Sequence, residues 1–254
     1  MRDDTDCNSS THACRAHLIS AHYGRMTTSS PAAIWTPPAR VRGILAVVTG
    51  RGERAPVYER FGRRISADGY TVAVFEADAD AAAAWLAGID DVPTVLVGSD
   101  TGAAAVLRVL SQGETPDGAI IAGTPVEVDG ADEPTDEQRT ACPVHLGVLG
   151  TAESRTASAS VERAPAAPDL AAIAVPVLAF HGSADAVSPI AEAGALLSAV
   201  PDLELIETVD GLHDALNDQS HRSVAASVVL WLERLRSGDV HAPVVRHSVG
   251  AAAA

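Results

Sequence analysis

The chain has 254 residues, of which 47% are hydrophobic and 20% are charged. This composition is typical of a globular protein, and we expect one main folded domain. Thirty-three acidic and 18 basic residues give a net charge of -15, and every basic residue is an arginine. Such a charge disfavours nucleic acids and anionic membranes as partners. No apolar run approaches the roughly 20 residues that span a bilayer, so we expect no membrane insertion.

The three cysteines, Cys7, Cys14 and Cys142, have neither the spacing of metal ligands nor the even number of a disulfide framework. This pattern is typical of a reducing compartment. The first 25 residues are polar and lack the apolar core of a secretory signal. We therefore expect a cytoplasmic protein.

Both ends of the chain lack hydrophobic periodicity. We expect a disordered N-terminal extension over residues 1–39, within which Met26 is a candidate for the physiological start. We also expect a loose C-terminal tail over residues 237–254. The folded domain is then expected over residues 40–236.

Within this domain, short apolar runs alternate with helical patterns, which is typical of an α/β protein with a mostly parallel, doubly wound sheet. Strands are predicted over residues 44–48, 71–75, 94–97, 119–122, 177–180 and 203–207. Helices are predicted over residues 57–68, around Trp85, and over residues 102–110, 190–199 and 220–235.

Residues 129–169 interrupt this alternation. The segment is rich in alanine, proline and acidic residues, with one short helical candidate over residues 135–149. An insertion at this point of the fold predicts a small cap over the functional site.

The most informative motif is V-L-V-G-S-D-T-G-A-A-A at residues 95–105. A buried strand, a turn flanked by two glycines and the start of a helix are the pattern of a nucleophile elbow, G-x-Nuc-x-G. Its middle residue is held on a strained turn above a parallel sheet. That residue is Asp100. A carboxylate there indicates either attack on a different kind of carbon from the one that serine attacks, or no covalent chemistry at all.

In folds with this elbow, an acid and then a histidine follow the nucleophile along the chain. Asp185 follows the strand predicted over residues 177–180, and His213 follows the strand predicted over residues 203–207. We predict that Asp100, Asp185 and His213 form one catalytic constellation. Since His213 would lie between two carboxylates, we expect its pKa to exceed the usual value of about 6.5.

Four motifs, taken in chain order, resemble those of α/β-hydrolases and are most similar to the monoacylglycerol lipase and lysophospholipase branch. They are T-G-R-G-E at residues 49–53 with Tyr58 after it, the helix-to-strand sequence at residues 59–72, H-G-S-A-D-A-V-S-P at residues 181–189 and G-L-H-D-A-L-N at residues 211–217. Two positions depart from the family pattern. Thr49 stands where the branch has a histidine, and Asp100 stands where it has the nucleophilic serine.

The resemblance implies an α/β-hydrolase fold from about residue 40 to residue 235. It further implies a hydrolase that acts on a small uncharged or acyl-type substrate without a metal or an organic cofactor. By the same resemblance, the backbone N–H groups of Arg51 and Thr101 occupy the oxyanion-hole positions, where they would stabilise developing negative charge.

Three functions stay open at this point. The scaffold implies lipase-like ester hydrolysis. A carboxylate nucleophile instead implies an epoxide hydrolase or a haloalkane dehalogenase, in which Asp100 forms an alkyl ester that water activated by His213 hydrolyses. Neither of those patterns is complete, because Thr101 replaces the halide-binding tryptophan and no tyrosine lies in the predicted cap. The third function is that of a non-catalytic ligand-binding protein that retains the pocket.

Four further residues lie within or near these motifs. Arg51 is expected either to pair with Asp100 or to lie in solvent. Glu53 is expected to satisfy the loop backbone rather than to donate protons. His181 is expected to pack in the core, and His145 to lie on the surface of the cap.

Overall fold

The computed structural model describes residues 30–126, 133–156 and 164–246. Its seven strands are β1 (Ala33–Trp35), β2 (Gly43–Val48), β3 (Tyr70–Phe75), β4 (Thr94–Ser99), β5 (Gly118–Ala122), β6 (Val177–Gly182) and β7 (Leu203–Thr208). Its α-helices are α1 (Glu59–Ala67), α2 (Ala79–Leu86), α3 (Thr101–Ser111), α4 (Asp136–Arg139), α5 (Pro143–Leu149), α6 (Ala167–Leu170), α7 (Ile190–Leu197) and α8 (His221–Arg236). Short 3-10 helices cover Ala55–Tyr58 and Ala152–Ser154. Parts of the predicted N-terminal extension, cap and C-terminal tail lie outside the described residues.

The seven strands form one sheet in the order β1-β3-β2-β4-β5-β6-β7. Only β1 is antiparallel to its neighbour, while the other six strands run parallel to one another. The carboxyl ends of β2, β4, β6 and β7 therefore lie along the same edge of the sheet, where ligands bind in open α/β folds. The predicted α/β class with a mostly parallel sheet is confirmed.

Helices cover both faces of the sheet because successive strand residues point to opposite sides. Leu45 and Val47 pack with α1 and α8 on one face, whereas Ala46 and Val48 pack with α2 and α3 on the other. Among the described residues, no helix combines the length and the apolar character needed to cross a membrane.

The structure corrects the domain boundary predicted at residue 40. β1 lies before it and pairs antiparallel with β3. Trp35, the last residue of β1, packs its ring so closely on α1 that a Cβ at Gly62 would lie 2.1 Å from the ring. The sequence did not indicate this strand because three residues are too few to show a periodicity. Met26 and the rest of residues 1–29 lie outside the described residues.

Over residues 135–149, where the sequence predicted one helix, the structure has two short helices, α4 and α5. The chain is extended at Thr140 and Cys142, and Pro143 begins α5. Proline disfavours a helical conformation at the residue before it, which explains the break. The break also lets the Thr140 hydroxyl donate to a carboxylate oxygen of Asp218 at 2.9 Å.

The turn between β4 and α3 is made by a single residue, Asp100, whose backbone has φ 51° and ψ -126°. A positive φ outside glycine stores strain of roughly 1–3 kcal/mol. The glycines on either side permit the close packing that the turn requires. A Cβ at Gly98 would lie 2.3 Å from the carbonyl oxygen of Gly102, and a Cβ at Gly102 would lie 2.3 Å from that of Val48.

We predict that Gly102→Ala lowers the free energy of unfolding by about 1–3 kcal/mol or more, because the added methyl meets rigid backbone. Urea unfolding followed by circular dichroism measures this loss. Gly147→Ala is the matched control, since a Cβ at Gly147 in α5 would meet no atom within 4 Å. Equal unfolding midpoints for the two variants would show that the turn tolerates a side chain.

Candidate active site

The structure brings together the three residues predicted to be catalytic. Asp100 follows β4, Asp185 follows β6 and His213 follows β7. His213 Nε2 lies 3.3 Å from Asp100 Oδ1, and His213 Nδ1 lies 2.8 Å from Asp185 Oδ2. The exposed fractions of the three residues are 3%, 5% and 1%. The imidazole is therefore held between two carboxylates and shielded from water.

The Asp185 carboxylate is held by both of its oxygens. Oδ1 accepts hydrogen bonds from the backbone N–H groups of Val187 at 2.9 Å and Ser188 at 3.0 Å. Oδ2 faces His213 and also lies 3.1 Å from His181 Nε2. Burial raises the pKa of Asp185, but these contacts outweigh it and lower the pKa below its usual range. Asp185 thus stays ionised and fixes the orientation of the His213 ring.

Two opposing effects set the pKa of His213. Burial lowers it, whereas the contacts with Asp100 and Asp185 raise it, and the net result is a pKa of about 10. The direction of this shift is the one expected from the sequence. At neutral pH the ring is an imidazolium whose Nε2 faces Asp100, so it is a ready proton donor and a poor base.

The two oxygens of Asp100 have different surroundings. Oδ2 accepts a hydrogen bond from the backbone N–H of Arg51 at 3.0 Å and lies 3.9 Å from Arg139 Nη2. Oδ1 is buried and has no hydrogen-bond partner within the described ranges. Burial raises the pKa of Asp100, but the charges of His213, Arg139 and Arg51 outweigh it and lower the pKa. Oδ2 is therefore anchored by a backbone hydrogen bond, whereas Oδ1 is held only by ion-pair contacts with His213 and Arg51.

The two backbone groups predicted for the oxyanion hole belong to the loop after β2 and to the start of α3. The N–H of Arg51 donates to Asp100 itself. Thr101 is buried and is the first residue of α3, so its N–H belongs to the positive end of that helix. The side chain of Arg51 pairs with Asp100, with Nη2 3.6 Å from Oδ1, which decides between the two alternatives left open by the sequence.

Sequence reasoning missed Arg139, which joins three parts of the site. Its side chain is 4% exposed and forms an ion pair with Glu53. Its Nη1 donates to the backbone oxygen of Arg51 at 3.4 Å, and its own backbone oxygen accepts from the N–H of Asp214 at 2.8 Å. An arginine in a polar insertion belongs to no motif, so the sequence carried no signal for this role.

Glu53 supports the loop after β2, as expected. Its Oε2 accepts from the backbone N–H of Gly50 at 3.2 Å and from the hydroxyl of Tyr58 at 2.5 Å. Burial raises the pKa of Glu53, although the charge of Arg139 opposes this increase. The loop that carries the backbone N–H of Arg51 is thus built on a buried carboxylate.

The prediction that His145 lies on the cap surface is wrong. His145 is 2% exposed, and its Nε2 lies 2.5 Å from Oδ2 of Asp214, the residue that follows His213. Polar composition suggested a solvated segment, but α5 packs against the loop that carries His213. His181 is buried as expected, with Nε2 2.5 Å from the backbone oxygen of Ser188.

A cavity of about 280 Å³ lies at the amino ends of β4 and β5, lined by residues that include Leu86, Thr94 and Asp117. It lies at the opposite end of β4 from Asp100 and so does not lead to the site. Among the ion-pair partners of Asp100, Arg51 has the most exposed side chain, at 13%. Across the described ranges, no group of three or more histidine, cysteine, aspartate or glutamate side chains could hold a metal ion.

We predict that Asp100→Asn lowers the pKa of His213 by at least about 1, because one of its two carboxylate partners loses its charge. NMR titration of the histidine ring measures the change. Asp91→Asn, an exposed position before β4, removes the same charge far from the site and serves as the control. If Asp100→Asn leaves the titration of His213 unchanged, the two side chains are not adjacent.

Comparison with solved structures identifies the fold. The monoacylglycerol lipase of Paleococcus ferrophilus matches with a TM-score of 0.67 and 15% identity, covering 83% of this chain and 100% of that one. A soluble variant of the monoglyceride lipase of Saccharomyces cerevisiae matches with a TM-score of 0.69 and 14% identity, covering 83% of this chain and 97% of that one. A carboxyl esterase from Bacillus coagulans matches with a TM-score of 0.65 and 13% identity, covering 80% of this chain and 93% of that one.

No protein-family model matches the chain, and no curated protein matches it significantly in sequence. The structural matches nevertheless extend over most of this chain and nearly the whole of each matched chain. The chain therefore has the α/β-hydrolase fold.

Proposed function

We propose that the protein is a hydrolase in which Asp100, His213 and Asp185 cleave a small substrate through an ester formed on Asp100. The observation that carries this proposal is the difference between the two Asp100 oxygens. Oδ2 is anchored on the N–H of Arg51, while Oδ1 has ion-pair contacts with His213 and Arg51 but no hydrogen bond to any described residue. An ionised carboxylate needs no base to act as a nucleophile, and this arrangement suits attack by Oδ1 on an sp3 carbon. In this proposal the turn at residues 98–102 is a nucleophile elbow.

Serine-type ester hydrolysis on this scaffold has less support. It requires a free donor at Arg51 to stabilise the oxyanion of the substrate. That donor is taken by Asp100. Attack by a carboxylate on an ester carbonyl would also produce an anhydride, which is a less favourable intermediate than an alkyl ester.

The protonation of His213 favours an epoxide as the electrophile. Oδ1 of Asp100 forms a bond to a ring carbon, the carbon–oxygen bond of the ring breaks, and its electron pair goes to the ring oxygen. That oxygen takes the Nε2 proton of His213, whose pKa of about 10 keeps it protonated at neutral pH. The products of this step are a hydroxyalkyl ester of Asp100 and a neutral imidazole, so no cap tyrosine is needed as the acid.

In the second step, water attacks Cγ of the Asp100 ester and gives one proton to Nε2 of the neutral His213. The negative charge forms on Oδ2, where the N–H groups of Arg51 and Thr101 stabilise it. The bond from Cγ to Oδ1 then breaks, and the departing alkoxide takes the proton of the new carboxylic acid. Asp100 is ionised and His213 is protonated again, and the net reaction adds one water to the epoxide.

A haloalkane fits neutral pH less well. Halide leaves without a proton, so His213 would still be protonated after the first step and could not activate water. Turnover would then require His213 to give its proton to solvent, at the lower pKa that remains once the ester has removed the charge of Asp100. The resting charge of His213 therefore favours a leaving group that needs a proton.

We further propose that the insertion over residues 129–169 acts as the cap of this site. Its described parts support this, since Arg139 and His145 are buried against the loops that carry Arg51 and His213. A closed cap would keep water away until the ester has formed.

Non-catalytic ligand binding is the second candidate, and one observation favours it. Asp100 is 3% exposed and contacts three cations, as a purely structural ion pair would. The two experiments below separate this candidate from the hydrolase.

We predict that His213→Gln traps the ester on Asp100, because its formation needs only the carboxylate whereas its breakdown needs the histidine. A reactive haloalkane is the appropriate probe, since its leaving group needs no proton. Intact mass spectrometry is expected to show one alkyl group per chain, and peptide mapping to place it on Asp100. Adding Asp100→Asn to this variant is the control and removes the adduct. A folded His213→Gln protein that gains no mass from the haloalkane would rule out the covalent route.

We also predict opposite pH profiles for two substrates of the unmodified protein. Epoxide hydrolysis should fall as the pH rises through about 10, because His213 loses the proton that opens the ring. Haloalkane hydrolysis should instead rise with pH in a lower interval. The His213 that must be neutral to activate water is that of the ester, where the loss of the Asp100 charge lowers its pKa. Initial rates measured from about pH 6 to about pH 10.5 test both profiles, because this interval includes the ordinary and the raised pKa of His213. Parallel profiles would contradict the assignment of His213 as the acid.

A further inference from the structure

We propose that Arg51 forms a binding site for a carboxylate group beside Asp100, so that the substrate carries a carboxylate close to its electrophilic carbon. This inference rests on the proposed function and deepens it by naming the substrate class as a small epoxy acid. Two sets of observations support it: the position of the Arg51 side chain, and the partners of the cations around Asp100.

The guanidinium of Arg51 lies between Asp100 and the protein surface. Nη2 is 3.6 Å from Asp100 Oδ1, and Nη1 is 3.3 Å from Oε2 of Glu133, whose side chain is 66% exposed. Nε is buried and has no hydrogen-bond partner among the residues that the structure describes. Arg51 thus contacts the oxygen that we propose as the nucleophile and still has an unused donor.

The other two cations beside Asp100 each have a second, buried partner. Arg139 pairs with Glu53, and His213 pairs with Asp185. The exposed side-chain fractions of these two carboxylates are 1% and 0%. Both cations therefore keep a buried anion when Asp100 is converted to a neutral ester.

Arg51 does not. After the ester forms, its remaining ion-pair partner in the described part of the chain is Glu133, at the surface and open to screening by solvent. A largely buried cation without a close anion is unfavourable. Ester formation on Asp100 therefore leaves Arg51 able to bind an anion supplied with the substrate.

A carboxylate suits this position better than a halide. The guanidinium is planar and presents parallel N–H groups that match the two oxygens of a carboxylate. A carboxylate on the substrate would replace Oδ1 of Asp100 as the partner of Arg51 while that oxygen attacks. A neutral substrate would break the same contact without replacing it.

Asp100→Asn provides the test, because the amide removes the charge as the ester does and keeps the shape of the side chain. Isothermal titration at neutral pH uses acetate as the probe, with chloride and bromide as separate arms. We expect acetate to bind the variant at least about tenfold more tightly than it binds the unmodified protein, as a charge-assisted pair implies. We expect weaker binding of both halides than of acetate.

Three variants in the Asp100→Asn background locate the site. Arg51→Gln is expected to remove the gain in acetate affinity, and Arg51→Lys, which keeps the charge without the planar fork, to remove part of it. Arg54→Gln is the matched control from the same loop, since Arg54 is 46% exposed and pairs with Glu76. Circular dichroism confirms the fold of each variant, and Arg51→Lys keeps the test valid if Arg51→Gln unfolds.

The outcomes are distinct. Acetate affinity that does not rise in Asp100→Asn, or that survives Arg51→Gln, overturns the Arg51 site. Halides that bind as tightly as acetate overturn the assignment to a carboxylate. An alkyl adduct on Asp100 without acetate binding leaves the proposed reaction intact and removes the epoxy acid as its substrate. Acetate binding without an adduct supports the Arg51 site and removes the covalent reaction.

Discussion

The ion pairing of Asp100 is the interaction on which the rest of the site depends. A strained turn holds this carboxylate at 3% exposure, where it could not stay ionised without nearby cations. The cations come from three separate segments: Arg51 from the loop after β2, Arg139 from the insertion and His213 from the loop after β7. A single buried charge therefore holds together three loops that the sheet topology only brings near one another.

The insertion between β5 and β6 contacts the Asp100 carboxylate directly through Arg139. Arg139 contacts Asp100, Glu53 and the backbone of Arg51, and His145 contacts the residue after His213. Any outward movement of α4 and α5 would remove a cation from Asp100 and a partner from the His213 loop. Opening of the insertion and the electrostatics of the site are thus coupled through named contacts.

The sequence predicted the parts of the site that are encoded locally. Asp100, Asp185 and His213 each follow an apolar strand in a recognisable turn, and a parallel sheet brings such turns to one edge. Arg139 and His145 could not be predicted in this way, because each is defined by a partner far along the chain. Their segment looked solvated by composition, whereas pairing with buried carboxylates placed both side chains inside. β1 was not predicted for a related reason. This strand is defined by its pairing with β3, which lies far along the chain, and not by a pattern within its own three residues.

The two roles that the proposed reaction gives to His213 follow from the same electrostatics. While Asp100 is ionised, two carboxylates hold the imidazole protonated, with a pKa of about 10, which suits a proton donor. Ester formation removes the charge of Asp100 and leaves Asp185 as the remaining carboxylate in contact with the ring. The pKa of His213 must then fall, because burial still opposes its charged form. The covalent step itself thereby converts the acid that opens the ring into the base that activates water, and the return of the Asp100 charge restores the acid.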